Sequence, residues 1–175
     1  FYGENLGLKN FFQKKIKENN KDNEIINYNQ EDILKDENQI YNEILNRSLF
    51  NVKKIFLVSG VSDKIIDQIQ KIEQIIDDRK IYFFSEILEK KSKLRNYFEK
   101  SANTAIVPCY NDSEITIKKI IQERLKGFKN LTNQTINLIL NSCGLDRVKV
   151  DNEIQKIITC FVNKEIDQNK LETLL

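Results

Sequence analysis

At 175 residues, with 40% hydrophobic and 31% charged side chains, the chain can fill one ordinary core or two small ones, and no apolar stretch approaches the roughly 18 residues of a membrane-spanning helix. Its 28 basic and 26 acidic residues leave a formal charge of +2, which excludes wholesale wrapping of nucleic acid and leaves only local contact. The absence of histidine excludes Ser-His-Asp and Cys-His triads, HExxH zinc sites and imidazole general bases. Cys109, Cys143 and Cys160 are far apart and form no CxxC pair, so they read as small core residues of a protein kept in a reducing, cytoplasmic compartment. The chain starts at Phe1 and contains no methionine, and is expected to be a piece of a longer protein.

In chain order, Phe1-Tyr2-Gly3 reads as the end of a strand that breaks at Gly3. Leu8, Phe11, Phe12 and Ile16 then share one helical face up to Asn19. Glu24 to Tyr28 is a second strand, followed by helical turns through Ile33, Leu34, Ile40, Tyr41, Ile44 and Leu45 with a break near residues 36–38. Ile55 to Val58 is a continuous apolar run between charge and Ser59-Gly60, the pattern of a strand buried on both faces of a parallel sheet. Ser62 is placed to cap the next helix, whose apolar face holds Ile65, Ile66, Ile69, Ile72, Ile75 and Ile76. Ile81 to Phe84 is a fourth strand. Lys91 to Lys100 is a short basic helix with Leu94, Tyr97 and Phe98 inward, and Thr104 to Val107 is a fifth strand ended by Pro108.

Strands alternating with helices over residues 1–109 predict a doubly wound α/β layer, because parallel strands require crossover helices. From Asn111 onward no further strand is predicted. Asp112 or Ser113 caps a helix to Gly127, Thr132 caps one to Asn141, Asp146 to Val162 forms a third, and a last turn or two runs from Asp167 to Leu175. The predicted organisation is an α/β domain over 1–109 and a helical domain over 110–175.

Leu49 and Phe50, at the end of a helical pattern, form the pivot of the sequence. Adjacent helical residues point about 100° apart, so one compact core stripe rarely takes both fully. Phe50 either closes the core where helix meets strand or belongs to an exposed plug for a partner.

Gly3 and Lys9 fit the register of a P-loop, but Leu8 stands where a glycine would let backbone amides approach a phosphate, and Asn10 where a hydroxyl would hold magnesium. The carboxylate of an NTPase is also missing from the strand at Ile55 to Val58, which ends in Ser59-Gly60. Gly3 therefore reads as an ordinary turn and ATPase activity is not expected. The run Lys90, Lys91, Lys93, Arg95 and Lys100 reads either as a solvated helix face, partly offset by Glu89 and Glu99, or as a contact for DNA.

Several stretches together resemble one family: Gly3-Glu4 after an apolar strand; Ser48-Leu49-Phe50 before basic residues and a hydrophobic strand; and Lys91-Ser92-Lys93-Leu94-Arg95 opening a helix. Gly144-Leu145-Asp146-Arg147 before Glu153-Ile154-Gln155-Lys156 completes the set. In this order and spacing they resemble the delta subunit of bacterial DNA polymerase III over essentially the whole chain.

The resemblance implies an AAA+-like three-layer α/β/α domain with a mostly parallel sheet and a degenerate P-loop, then a small all-helical lid, with a C-terminal collar beyond these residues. It implies a clamp-loader subunit that binds and opens the sliding clamp for loading onto primed DNA, while sister subunits hydrolyse ATP. The implied partners are the sliding clamp, other clamp-loader subunits mainly through the collar, and primed DNA. No catalytic residue, cofactor, metal or membrane contact is implied, although the complex served is a nucleotidyltransferase. Leu49 and Phe50 match the family's clamp-inserting Leu-Phe pair. Arg147 falls where such lids carry a nucleotide-sensing arginine, and with no nucleotide to sense it is expected in a salt bridge or at a helix start. A phosphotransferase with an atypical loop and a delta-prime-like scaffold are the alternatives.

Overall fold

Ile55, Phe56, Leu57 and Val58 are each at most 3% exposed, as a strand covered on both faces requires. They lie in a computed structural model that describes residues 1–46, 53–76 and 79–175. The contacts divide the chain into two compact units, one of Phe1–Glu4 and Lys9–Cys109, the other of Asn5–Leu8 and Tyr110–Leu175.

The first unit contains α1 (Leu6–Glu18) from Lys9 onward, β1 (Glu24–Asn29), α2 (Gln30–Lys35), α3 (Glu37–Leu45), β2 (Lys54–Val61), α4 (Ile66–Ile75), β3 (Lys80–Ser85) and α5 (Lys93–Lys100). The three strands are parallel in the order β1-β2-β3, with Ile26 beside Phe56 and Phe56 beside Ile81. Because side chains alternate across a strand, β2 feeds two cores. Phe56 and Val58 join Ile40 and Ile44 of α3, Ile69 and Ile72 of α4 and Leu94 of α5. Ile55 and Leu57 join Ile16 of α1 and Phe84 on the other face. This is an α/β fold with helices on both sides of a parallel sheet.

Three of the five expected strands form ladders. The outer two are reduced to single bridges, where Tyr2 pairs in parallel with Ser85 on one side and Pro108 on the other. Tyr2 N donates to Val107 O at 3.1 Å, Cys109 N to Tyr2 O at 2.6 Å and Ser85 N to Phe1 O at 2.8 Å. Gly3 turns the chain immediately after Tyr2, which keeps that pairing short.

Two further expectations are corrected. Phe11 is 43% exposed although it shares the apolar pattern of α1, and it rests edge-on against Phe12. Ser62 caps nothing with its side chain, because its hydroxyl and its amide both donate to Gln30 Oε1 at 2.8 Å.

The second unit contains α6 (Glu114–Arg124), α7 (Asn133–Cys143), α8 (Arg147–Cys160) and α9 (Gln168–Leu174). Ile117, Ile121, Ile139, Val150, Ile154, Ile157 and Leu171 are fully enclosed in its core. Ser113, Thr132, Asp146 and Asp167 each accept a backbone N–H at the start of the following helix. Of the two candidates before α6, Ser113 is therefore the cap and Asp112 is left for another use. Among the described residues this unit has no strand ladder, only the bridge between Lys129 and Glu165.

Candidate functional site

Open parallel sheets bind ligands beyond the carboxyl ends of their strands, where the strand order reverses. In the first unit that place is the edge formed by Gly3, Val61 and Ser85, since Tyr2, first in sequence, pairs between β3 and Pro108. Gly3 has a φ of +133°, and a Cβ there would stand 2.2 Å from Cys109 O. Its freedom is used for close approach of two backbone segments.

Lys9 is buried, and its Nζ donates to Ser85 O at 3.0 Å. Ser85 Oγ in turn donates to Val61 O at 2.5 Å. The polar groups of this edge thus satisfy one another, and the lysine in P-loop register is turned to a backbone carbonyl. Asn10 is exposed and Leu8 half-buried. The part played by Ser85 was missed from sequence, where its only signal is a lone hydroxyl closing the apolar run 81–84.

The second unit holds a buried charged cluster. Arg147, first residue of α8, donates from Nε to Asp112 Oδ2 at 2.8 Å and from Nη2 to Oδ1 at 2.5 Å. Asn5 Nδ2 donates to the same carboxylate at 2.7 Å and to Tyr110 O at 3.0 Å, and Asn5 Oδ1 accepts from Leu8 N at 2.9 Å. The side chains of Arg147 and Asp112 are 11% and 5% exposed. Burial pushes the Asp112 carboxyl up, but the hydrogen bonds from Arg147 and Asn5 and the guanidinium charge outweigh it and hold the group below its usual range. Gly7 lies against this arginine, since a Cβ at Gly7 would come within 2.6 Å of Arg147 Cβ. Arg147 is thus in a salt bridge and at a helix start together. Asn5 and Asp112 were missed as its partners; the signal was the Asp112-Ser113 doublet, two cap candidates where one helix needs one.

The basic run divides. Arg95 turns inward, its guanidinium 5.2 Å from the centre of the Tyr2 ring and its Nε bonded to Glu99 at 2.8 Å. Lys90, Lys91, Lys93 and Lys100 stay exposed. Ser92 accepts from Arg95 N and donates from Oγ to Asp63 Oδ1 at 2.6 Å. Asp63 also takes Leu94 N at 2.9 Å and Lys93 N at 3.1 Å. The Ser92 hydroxyl first, then these amides, keep the Asp63 carboxyl below its ordinary value, as a carboxylate at a helix N-terminus should be.

Leu49 and Phe50 lie outside the described residues. The helix before them, α3, buries Ile40 and Ile44 and ends at Leu45, which is 59% exposed. Among the described residues no group of three or more His, Cys, Asp or Glu could hold a metal, and no helix is long and apolar enough to cross a membrane.

No family model matches the chain, and no curated protein matches it in sequence. Among solved structures it is similar to the Bacillus subtilis DNA clamp loader delta protein (YqeN), with a TM-score of 0.65 at 13% identity over 99% of this chain. The chain spans 56% of the length of that protein. The likeness is one of fold. Caenorhabditis elegans PCH-2 follows with a TM-score of 0.32 at 12% identity, over 81% of this chain and 44% of that one, too slight to build on.

Proposed function

We propose that this chain is the clamp-engaging part of a delta-type clamp-loader subunit, which binds and opens a sliding clamp for placement on primed DNA and leaves ATP hydrolysis to other subunits of the loader. The observation that carries the reading is the fold, shared with a clamp loader delta protein along 99% of the chain. The sheet edge supports the non-hydrolytic part, because Lys9 spends its ammonium on Ser85 O. The α/β domain of 1–109 would engage the clamp and the helices of 110–175 would act as its lid, with contacts to the other loader subunits made mainly by a collar beyond this chain.

Leu49 and Phe50 are the proposed clamp anchors. Full burial of a Leu or Phe side chain contributes about 1.5–3 kcal/mol, so two of them in one cleft dominate a modest interface. The test is calorimetry of the chain against the sliding clamp of its own organism. Leu49→Ala/Phe50→Ala is expected to abolish measurable binding while leaving the thermal unfolding midpoint unchanged. Wild-type affinity in the double variant would sink the assignment, and a large fall in the midpoint would return the pair to the core.

A further inference from the structure

Between α7 and α9 of the second unit lies an open groove of about 390 Å³, lined on one wall by Gln134, Asn137, Leu138 and Asn141 and on the other by Gln168 and Glu172. The helical repeat makes both walls. On α7, Thr135, Ile136, Ile139, Leu140 and Cys143 are buried, which leaves Gln134, Asn137 and Asn141, at i, i+3 and i+7, on one exposed face. On α9, Leu171 is buried while Gln168 and Glu172 stand one turn apart. Leu138, half-buried against the helical core, is the one apolar side chain among the lining residues.

Four neutral amides and one carboxylate thus line one groove without being spent inside the protein. Among the described residues the side chains of Gln134, Asn137, Asn141 and Gln168 make no hydrogen bond, and no cation lies within salt-bridge distance of Glu172. Asn5 and Asn130 of the same unit differ, since their Nδ2 atoms donate to Asp112 and to Ile166 O. A cofactor-sized ligand needs mostly apolar walls, which this groove lacks. A second copy of the same groove would bring another acid and no base to Glu172. A helix would bring a main chain whose polar groups are already paired. An extended chain keeps a free N–H and a free C=O, the two functions that a side-chain amide answers.

We propose that this groove takes an extended segment of another polypeptide, held by its main chain, with a Lys or Arg side chain of that segment against Glu172. From Gln134 to Asn141 the α7 stripe covers about 10.5 Å of helix axis. An extended chain advances about 3.4 Å per residue, so the stripe meets about three consecutive residues. Side-chain amides both donate and accept and carry no charge, so they hold a backbone whatever side chains it bears. The single carboxylate supplies the preference for a basic residue. The inference rests on the second unit alone and does not depend on the clamp reading.

The test is an NMR titration of the nitrogen-15-labelled 175-residue chain with a peptide of alternating Thr and Lys, blocked at both ends. The side-chain amide signals of Gln134, Asn137, Asn141 and Gln168 should shift together. Asn137→Ala/Asn141→Ala should weaken binding about tenfold through two lost hydrogen bonds. Alanine is the better helix former, so the unfolding midpoint of that variant should not fall. Glu172→Gln should weaken binding about threefold. N-methylation of the peptide at its Thr residues deletes N–H donors and keeps every charge, and should also weaken binding about tenfold. Gln122→Ala, at an exposed position of α6, is the control and should bind like wild type. Equal binding of the N-methylated peptide, or of one alternating Thr and Glu, would overturn the proposal, as would amide signals that stay in place at millimolar peptide. Tighter binding of maltoheptaose would overturn it in favour of a sugar. Sedimentation showing a self-association that Asn137→Ala/Asn141→Ala abolishes would overturn it in favour of a second copy.

Discussion

Arg147 grips Asp112 with two hydrogen bonds, Nε to Oδ2 at 2.8 Å and Nη2 to Oδ1 at 2.5 Å, both side chains lying almost wholly out of solvent. A buried pair of this kind adds little over a well-packed apolar substitute, but removing one partner strands the other charge. Asp112→Ala should therefore cost about 3–5 kcal/mol in urea unfolding of the second unit, and Asp112→Ala/Arg147→Met much less than the sum of the two single changes. Additive losses would show that the pair does not act as a unit.

The same carboxylate gives the second unit an acid limb. Because the folded Asp112 titrates below its ordinary value, the folded chain binds fewer protons at this group than the unfolded chain, so its stabilisation is complete above the unfolded value of about 3.9 and is lost as pH falls through the lower folded one. Stability measured between pH 5 and pH 2 should fall less steeply in Asp112→Asn than in wild type. Parallel curves would remove Asp112 from the account.

Lys9→Met keeps the apolar stem and deletes the ammonium that meets Ser85 O. Leaving that carbonyl unpaired should cost about 1–3 kcal/mol of stability. A titration with a fluorescent ATP analogue should give the same weak or absent signal for both proteins. A nucleotide affinity that depends on Lys9 would mean that the lysine leaves Ser85 to meet phosphate, and would contradict the non-hydrolytic reading.

Gly3 and Gly60 separate two reasons for glycine. At Gly3 an added Cβ meets Cys109 O at 2.2 Å on a backbone of φ +133°, whereas at Gly60 the φ is +69° and no heavy atom stands within 4 Å. Gly3→Ala should combine overpacking with backbone strain for a loss between about 2 and 6 kcal/mol, and Gly60→Ala strain alone, about 1 kcal/mol. Thermal unfolding ranks the two, and equal losses would rule out the contact with Cys109 as the cause.

The apolar run Ile55 to Val58 and the isoleucines of α4 were legible as strand and helix because hydrophobic period is a local property, and Thr132 as a cap, with Ser113 as one of two candidates, because a cap acts within three residues. The change from alternating strands and helices to helices alone was legible for the same reason. The sequence alone also determined that no imidazole chemistry is possible.

What only tertiary structure decided is where each polar side chain finds its partner. Lys9 and Ser85 are 76 positions apart, Asn5 and Asp112 107, and no local pattern encodes which of many carbonyls or carboxylates ends beside which donor. Likewise the outer strands shrank to single bridges at Tyr2, because ladder length depends on how long two distant segments stay side by side and not on the apolar character of either. Burial makes an unpaired polar group costly, and the fold chooses which partner each one meets.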